Sequence, residues 1–303
     1  MAKTSQSFGL QHTARSISLP SRLHPNAIRI ETELNKLKIW EASSVSITES
    51  LSGETLQDGL IGLAELYNCT QELMQSSTTQ KALHQHQNGM VLEESLERSV
   101  ELIDSCGIIR EIFITIKGHV QELQSALRRK NGDSSIESDI SSYLCFKKKA
   151  KKEVARTLKS LKQMESRIGS CYDVLDIDHY LAMIIRVLRE VTAITVSVLK
   201  SLLIFLTSSA TSRTKSGGWS LISKLMITKS NKGHVANNVG CVDLALTSLL
   251  GHIKNGGLKD DVQMARRQLQ ILDYSIEGLE AGLEGLFRQL VRNRVTLLNM
   301  LTH

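Results

Sequence analysis

The chain has 303 residues, of which 41% are hydrophobic, 22% charged and 4% aromatic, and its formal net charge is +6. That balance is globular and excludes a disordered or collagen-like chain. Only two prolines occur, Pro20 and Pro25, which excludes turn-rich all-β patterning, and five scattered cysteines exclude a disulfide framework and fit a reducing, cytoplasmic compartment.

Residues 1–24 are basic, rich in Ser, Thr and Gln, and without apolar periodicity. They read as a flexible arm. A transit peptide shares that composition and is the rival reading. Residues 25–303 are expected to form a single helical-bundle domain. Pro25 suits a first helical turn, and Ile28, Ile30, Leu34, Leu37 and Trp40 make a helical stripe. A break is expected at Ser43–Ser46. A second helix follows from about Glu54 to Met74, and a further break with a new N-cap is expected at Ser76–Thr79.

The next helix is long, from about Leu92 to Arg129. Asn131-Gly132-Asp133 is a turn signal, and the helix after it runs to about Ile168. These two are expected to form an antiparallel hairpin. A further helix covers about Asp178 to Leu206, and residues 207–218 read as a mobile loop. A short helix is expected from Trp219 to Ile227 and another from Val235 to Ile253. Last, Leu269, Leu272, Ile276, Leu279, Leu283, Leu286 and Leu290 step by three and four without a slip. That is a heptad seam, which needs a partner helix. The long helices earlier in the chain can supply it, and a coiled-coil homo-oligomer is the rival. Gly278, Gly282 and Gly285 would let a neighbouring backbone approach closely. The expected class is therefore all-α: an elongated multi-helix bundle with long antiparallel helices and a C-terminal heptad helix.

Nothing points to catalysis. There is no Gly-rich phosphate loop, no G-x-S-x-G and no C-x-x-C. His84 and His86 lack an obvious third ligand, and Asp173, Asp176, Asp178 and His179 read as a loop and a helix N-terminus. No cofactor or metal is expected. The apolar run 191–209 carries Lys200 at its middle, so a buried central helix is the better reading than a membrane span.

Charge is segregated. Residues 1–30 and 191–242 contain no acid at all. Lys147, Lys148, Lys149, Lys151, Lys152, Arg156, Lys159 and Lys162 form a basic run broken by Glu153 alone. On a helix, Ala150, Val154, Leu158 and Leu161 would line one face and the cations most of the rest. The plain reading is a solvated outer face. The sharper one is contact with an anionic membrane surface or an acidic protein, for which Lys147, Lys148, Lys149, Lys151, Lys152, Arg156 and Lys159 are the candidates. Nucleic acid is the weakest partner, because no aromatics interleave with the cations. In the arm, Arg15 stands three residues before Ser18 and Pro20 two after it. Phosphorylated Ser18 in that frame fits a 14-3-3-type phosphopeptide reader, whose basic groove grips phosphate.

Several stretches together resemble the plant-specific BYPASS-like family. They are Arg15-Ser-Ile-Ser-Leu-Pro-Ser-Arg22, His24-Pro25, Leu37-Lys-Ile-Trp40, Leu63 to Tyr67, Thr79-Gln80-Lys-Ala-Leu83, Asp104-Ser-Cys106-Gly107, Gln121 to Arg129, Tyr143 to Lys149 and Trp219 to Met226. One departure is Gln75-Ser76-Ser77, where relatives often carry Leu-Pro. The resemblance implies a role in root and shoot development, through signalling or trafficking. It implies no active site, and it weakens the transit-peptide reading because the arm belongs to the family pattern. The expectation is a non-enzymatic adaptor or regulatory protein acting through protein contacts, with lipid association as the alternative.

Overall fold

The computed structural model describes residues 25–46, 51–85, 89–129, 133–169, 179–207, 237–253 and 258–302. The arm, including Arg15, Ser18 and Pro20, lies outside them, as do residues 208–218 and Trp219–Ile227. Every described element is an α-helix. In chain order they are α1 (Pro25–Ser46), α2 (Gly53–Gln75), α3 (Ser77–Gln85), α4 (Gly89–Arg128), α5 (Asp133–Gly169), α6 (His179–Thr207), α7 (Asn238–Ile253) and α8 (Leu258–Thr302). The protein is an all-α multi-helix bundle.

The 45-residue α8 spans about 68 Å at 1.5 Å per residue. Its seam residues Leu269, Leu272, Ile276, Leu279, Leu283, Leu286 and Leu290 are all at most 1% exposed. They pack inside the chain, chiefly on α4, then on α2 and α7. The seam is therefore filled without a second copy. Side-chain pairs fix the directions. Arg294 reaches Leu96 and Arg110 reaches Glu284, so α4 runs antiparallel to α8. Gln289 donates to Asn68 and Gly282 touches Leu60, so α2 runs parallel to it. Arg167 pairs with Glu101 while His119 lies against Phe146, which makes α4 and α5 the expected antiparallel hairpin.

Capping residues set several ends. Ser52 accepts from the Thr55 N–H at 3.1 Å and starts α2. Ser76 is extended (φ −66°, ψ 140°), ends α2, and accepts from the Thr79 N–H at 3.3 Å to start α3. Serine thus makes the break between α2 and α3. The break expected at Ser43–Ser46 falls at the last of these residues: α1 ends at Ser46 and α2 begins at Gly53. α1 continues to Ser46, because the Ser43 and Ser44 hydroxyls donate to the carbonyls of Ile39 and Trp40 and stay within the helix. α3 is an element the sequence left unassigned; Ala82 and Leu83 are its only buried hydrophobics among the described residues, too few to show a period.

α6 is, among the described residues, the one helix long and apolar enough to cross a membrane. In the bundle it is a packed helix touching α1, α2, α4 and α5. Lys200 on it pairs with Glu165 of α5 at 2.8 Å. Tyr67 and Thr195 exchange a buried hydrogen bond of 3.0 Å, and Phe113 stacks on Phe205. Burial pushes the Cys106 thiol up to about 12, so this thiol is an inert core group.

Two of the three C-terminal glycines serve close approach. A Cβ on Gly282 would sit 2.8 Å from Leu60 Cδ1, and one on Gly278 would strike Gln57. Gly285 has open space around it, contrary to expectation. At Gly59 a Cβ would come within 2.6 Å of the Trp40 ring, which cannot turn aside because its indole N–H donates to the Thr55 carbonyl at 2.7 Å. Gly118 has nothing within 4 Å. Both changes to alanine raise helix propensity by roughly 1 kcal/mol, so packing decides the sign. Gly59→Ala should lose about 1–3 kcal/mol in urea unfolding from overpacking, whereas Gly118→Ala should gain up to about 1 kcal/mol.

Candidate functional site

The basic run lies on α5, and the helix divides it. The inner stripe reads Ile136, Ile140, Tyr143, Lys147, Val154, Leu161 and Met164, all buried. These contact α4, α6 and α7 and fix the helix along most of its length. Lys148, Lys149, Lys152, Arg156 and Lys159 are exposed, and Lys151 and Lys162 are half-buried. Steps of three and four bring the exposed cations onto one outward face. Arg156 pairs along the helix with Glu153, the only acid within the run. An exposed pair of this kind contributes little to stability.

Lys147 does not belong to that face. It is 4% exposed, and its Nζ donates to Asp243 Oδ2 of α7 at 2.8 Å. Tyr143 donates its hydroxyl to the other oxygen, Asp243 Oδ1, at 3.0 Å. The physical reason is periodicity: Lys147 precedes Ala150 by three residues and Val154 by seven, so it shares their inward side. Burial pulls the Lys147 ammonium below its ordinary value, and the Asp243 carboxylate opposes that pull. Burial, with Asp243 adding to it, pushes the Tyr143 phenol well above its ordinary range. Asp243 and Tyr143 were missed from sequence. A signal existed, since Asp243 is the only acid in residues 237–253. Charge in so apolar a helix needs a buried partner.

Three other features do not make a chemical site. A groove of about 290 Å³ between α1 and α2 is lined by Arg29, Glu65, Asn68, Gln71, Glu72 and Gln75. It is open and polar, and its cation is engaged by Glu72 at 2.8 Å and Glu65 at 3.2 Å. Among the described residues no three His, Cys, Asp or Glu side chains gather as a metal cluster. His86, Asp173, Asp176 and Asp178 lie outside the described residues.

The Tyr143–Asp243–Lys147 cluster is a structural clamp between α5 and α7. Asp243→Ala strands a buried ammonium and should cost about 3–5 kcal/mol. Replacing the whole cluster, as Tyr143→Phe, Lys147→Met and Asp243→Leu together, should recover most of that loss. Urea midpoints of the two variants check this. Equal destabilisation in both would show that Lys147 is not the group being stranded.

No curated protein and no solved structure matches the chain. A family model described as Protein BPS1 matches residues 59–300, from the first third of α2 almost to the end of α8. The match covers most of the bundle, including the basic face and its clamp, and it agrees with the BYPASS-like resemblance of the sequence. The chain belongs to the BPS1 family, a BYPASS-related family of plant proteins.

Proposed function

We propose that this protein is a non-catalytic helical adaptor in plant root and shoot development, holding an acidic partner protein on the outer face of α5. Membership of the BPS1 family supports a developmental role. The observation that carries the adaptor reading is the exposed set Lys148, Lys149, Lys152, Arg156 and Lys159 on a helix whose apolar side is already committed. Such a face is rigid, multivalent in charge and open to an acidic surface. The arm adds a second handle: Ser18, once phosphorylated, docks in a phosphopeptide reader. The protein acts in the cytoplasm in this reading.

Association with anionic lipid is the second reading, and the same cations favour it. Each Lys or Arg near a charged membrane contributes about 1 kcal/mol. Insertion of α5 is a different matter. Val154, Leu158 and Leu161 are 1, 7 and 0% exposed, so no apolar side is left to enter lipid. Only adhesion by charge remains, which puts the protein partner first.

Charge reversal separates the readings. Lys148→Glu, Lys152→Glu and Lys159→Glu together should leave helicity intact and strip acidic proteins from complexes purified from plant tissue. Ser18→Ala should remove the phosphatase-sensitive partners only. Complexes unchanged by both variants would end the adaptor reading. Salt-sensitive flotation with phosphatidylserine vesicles, abolished by the reversal, would shift the conclusion to lipid.

A further inference from the structure

We propose that the groove between α4 and α8 is a docking surface for a second copy of this chain. Val291, Val295 and Leu298 are 39, 49 and 40% exposed, and Val100 on α4 is 39% exposed. Steps of four and three set the α8 trio in one stripe. It is separate from the buried leucine seam and lies on the side of α8 that carries its ion pairs to α4.

The register of the two helices is fixed by one contact before this stripe and one within it. Arg110 pairs with Glu284, and Arg294 donates to the Leu96 carbonyl at 2.8 Å and the Ser99 hydroxyl at 3.0 Å. Residues 97–104 of α4 therefore run beside residues 288–295 of α8. Over that stretch α4 exposes Glu97 and Asp104, while α8 exposes Arg288 and Arg292. The face is an apolar strip with acid on one flank and base on the other.

Such a face is complementary to itself in one way only. A two-fold axis along the groove lays α8 of each copy over α4 of the other. Valines then meet across the axis, and Arg288 and Arg292 come over Asp104 and Glu97. An axis across the groove would set acid on acid and base on base, which is costly. Arg288 already pairs with Glu284 at 3.0 Å, but that pair is exposed and one turn apart along the helix. Sharing it costs little. No outside partner is needed, because the charges that complement the face are on the face.

Sedimentation equilibrium on the full chain tests this, at low and at high salt. The expected result is a reversible dimer that weakens as salt rises. Val295→Glu should give a monomer. Arg288→Glu with Arg292→Glu should weaken pairing by at least roughly tenfold. Adding Glu97→Arg and Asp104→Arg to that double variant should restore it. Circular dichroism confirms that each variant keeps its helices, as expected for exposed positions. A wild-type chain that stays monomeric at its highest soluble concentration overturns the proposal. So does a double variant that pairs as wild type does, or a helical four-site swap that fails to restore pairing.

Discussion

Burial of the leucine stripe on α8 sets the place of almost every other element. Leu269 to Leu290 form one continuous apolar edge, and each fully buried side chain contributes about 1.5–3 kcal/mol relative to exposure. No single neighbour covers that edge. α4 lies along most of it in the opposite sense, α2 lies beside it in the same sense, and α7 closes one end. Gly278 and Gly282 bring α2 in close enough to meet Gln57 and Leu60 across the gap. Polar pairs then select the register. Arg110, Lys117 and Gln124 are spaced by seven on α4 and reach Glu284, Glu280 and Asp273 on α8. A slip of one turn would break the set in either direction, setting Arg110 against Arg288 or Lys117 against Ile276.

What α8 does for its neighbours decides what α5 can do for function. α5 is held at a distance from α8, through α4, α6 and α7, and the buried Lys147–Asp243 contact ties it to α7. Asn237 extends the same logic. Its side chain accepts from the Gly240 N–H to start α7 and donates to the Phe205 carbonyl near the end of α6. Charge on α5 is therefore displayed by a helix that cannot roll. A rolling helix could turn Val154 and Leu161 outward and insert; this one presents cations alone.

Much of this is legible in the sequence. The absence of proline after Pro25, the unbroken seam and the Asn131-Gly132 turn specified long helices and one hairpin correctly, because each depends on local chemistry. Within the expected break at Ser43–Ser46, Ser43 and Ser44 stay helical by bonding their hydroxyls to the preceding turn, and the helix ends at Ser46. The failures lie elsewhere. α3 has too little apolar surface to show a period. Lys147 was grouped with its neighbours by charge, although its spacing from Ala150 and Val154 placed it inward. Charge similarity is a property of composition; direction is a property of periodicity, and periodicity prevailed. Asp243 could be found only by asking where a lone acid in an apolar helix would find a counter-ion.

Pairing through α4 and α8 bears on the role of α5. A two-fold axis along the helices keeps their directions parallel, so α5 of both copies would point the same way along the long axis. An acidic partner that touches both faces gains effective concentration without any new contact. Individually weak surface charges become useful under that geometry, since exposed ion pairs are each worth about 0–1 kcal/mol and a single five-cation face is screened at cellular salt. The bundle would then select a partner by spacing as well as by charge. The same helix, α4, would connect both surfaces, carrying the clamp side of α5 on one flank and the second copy on the other.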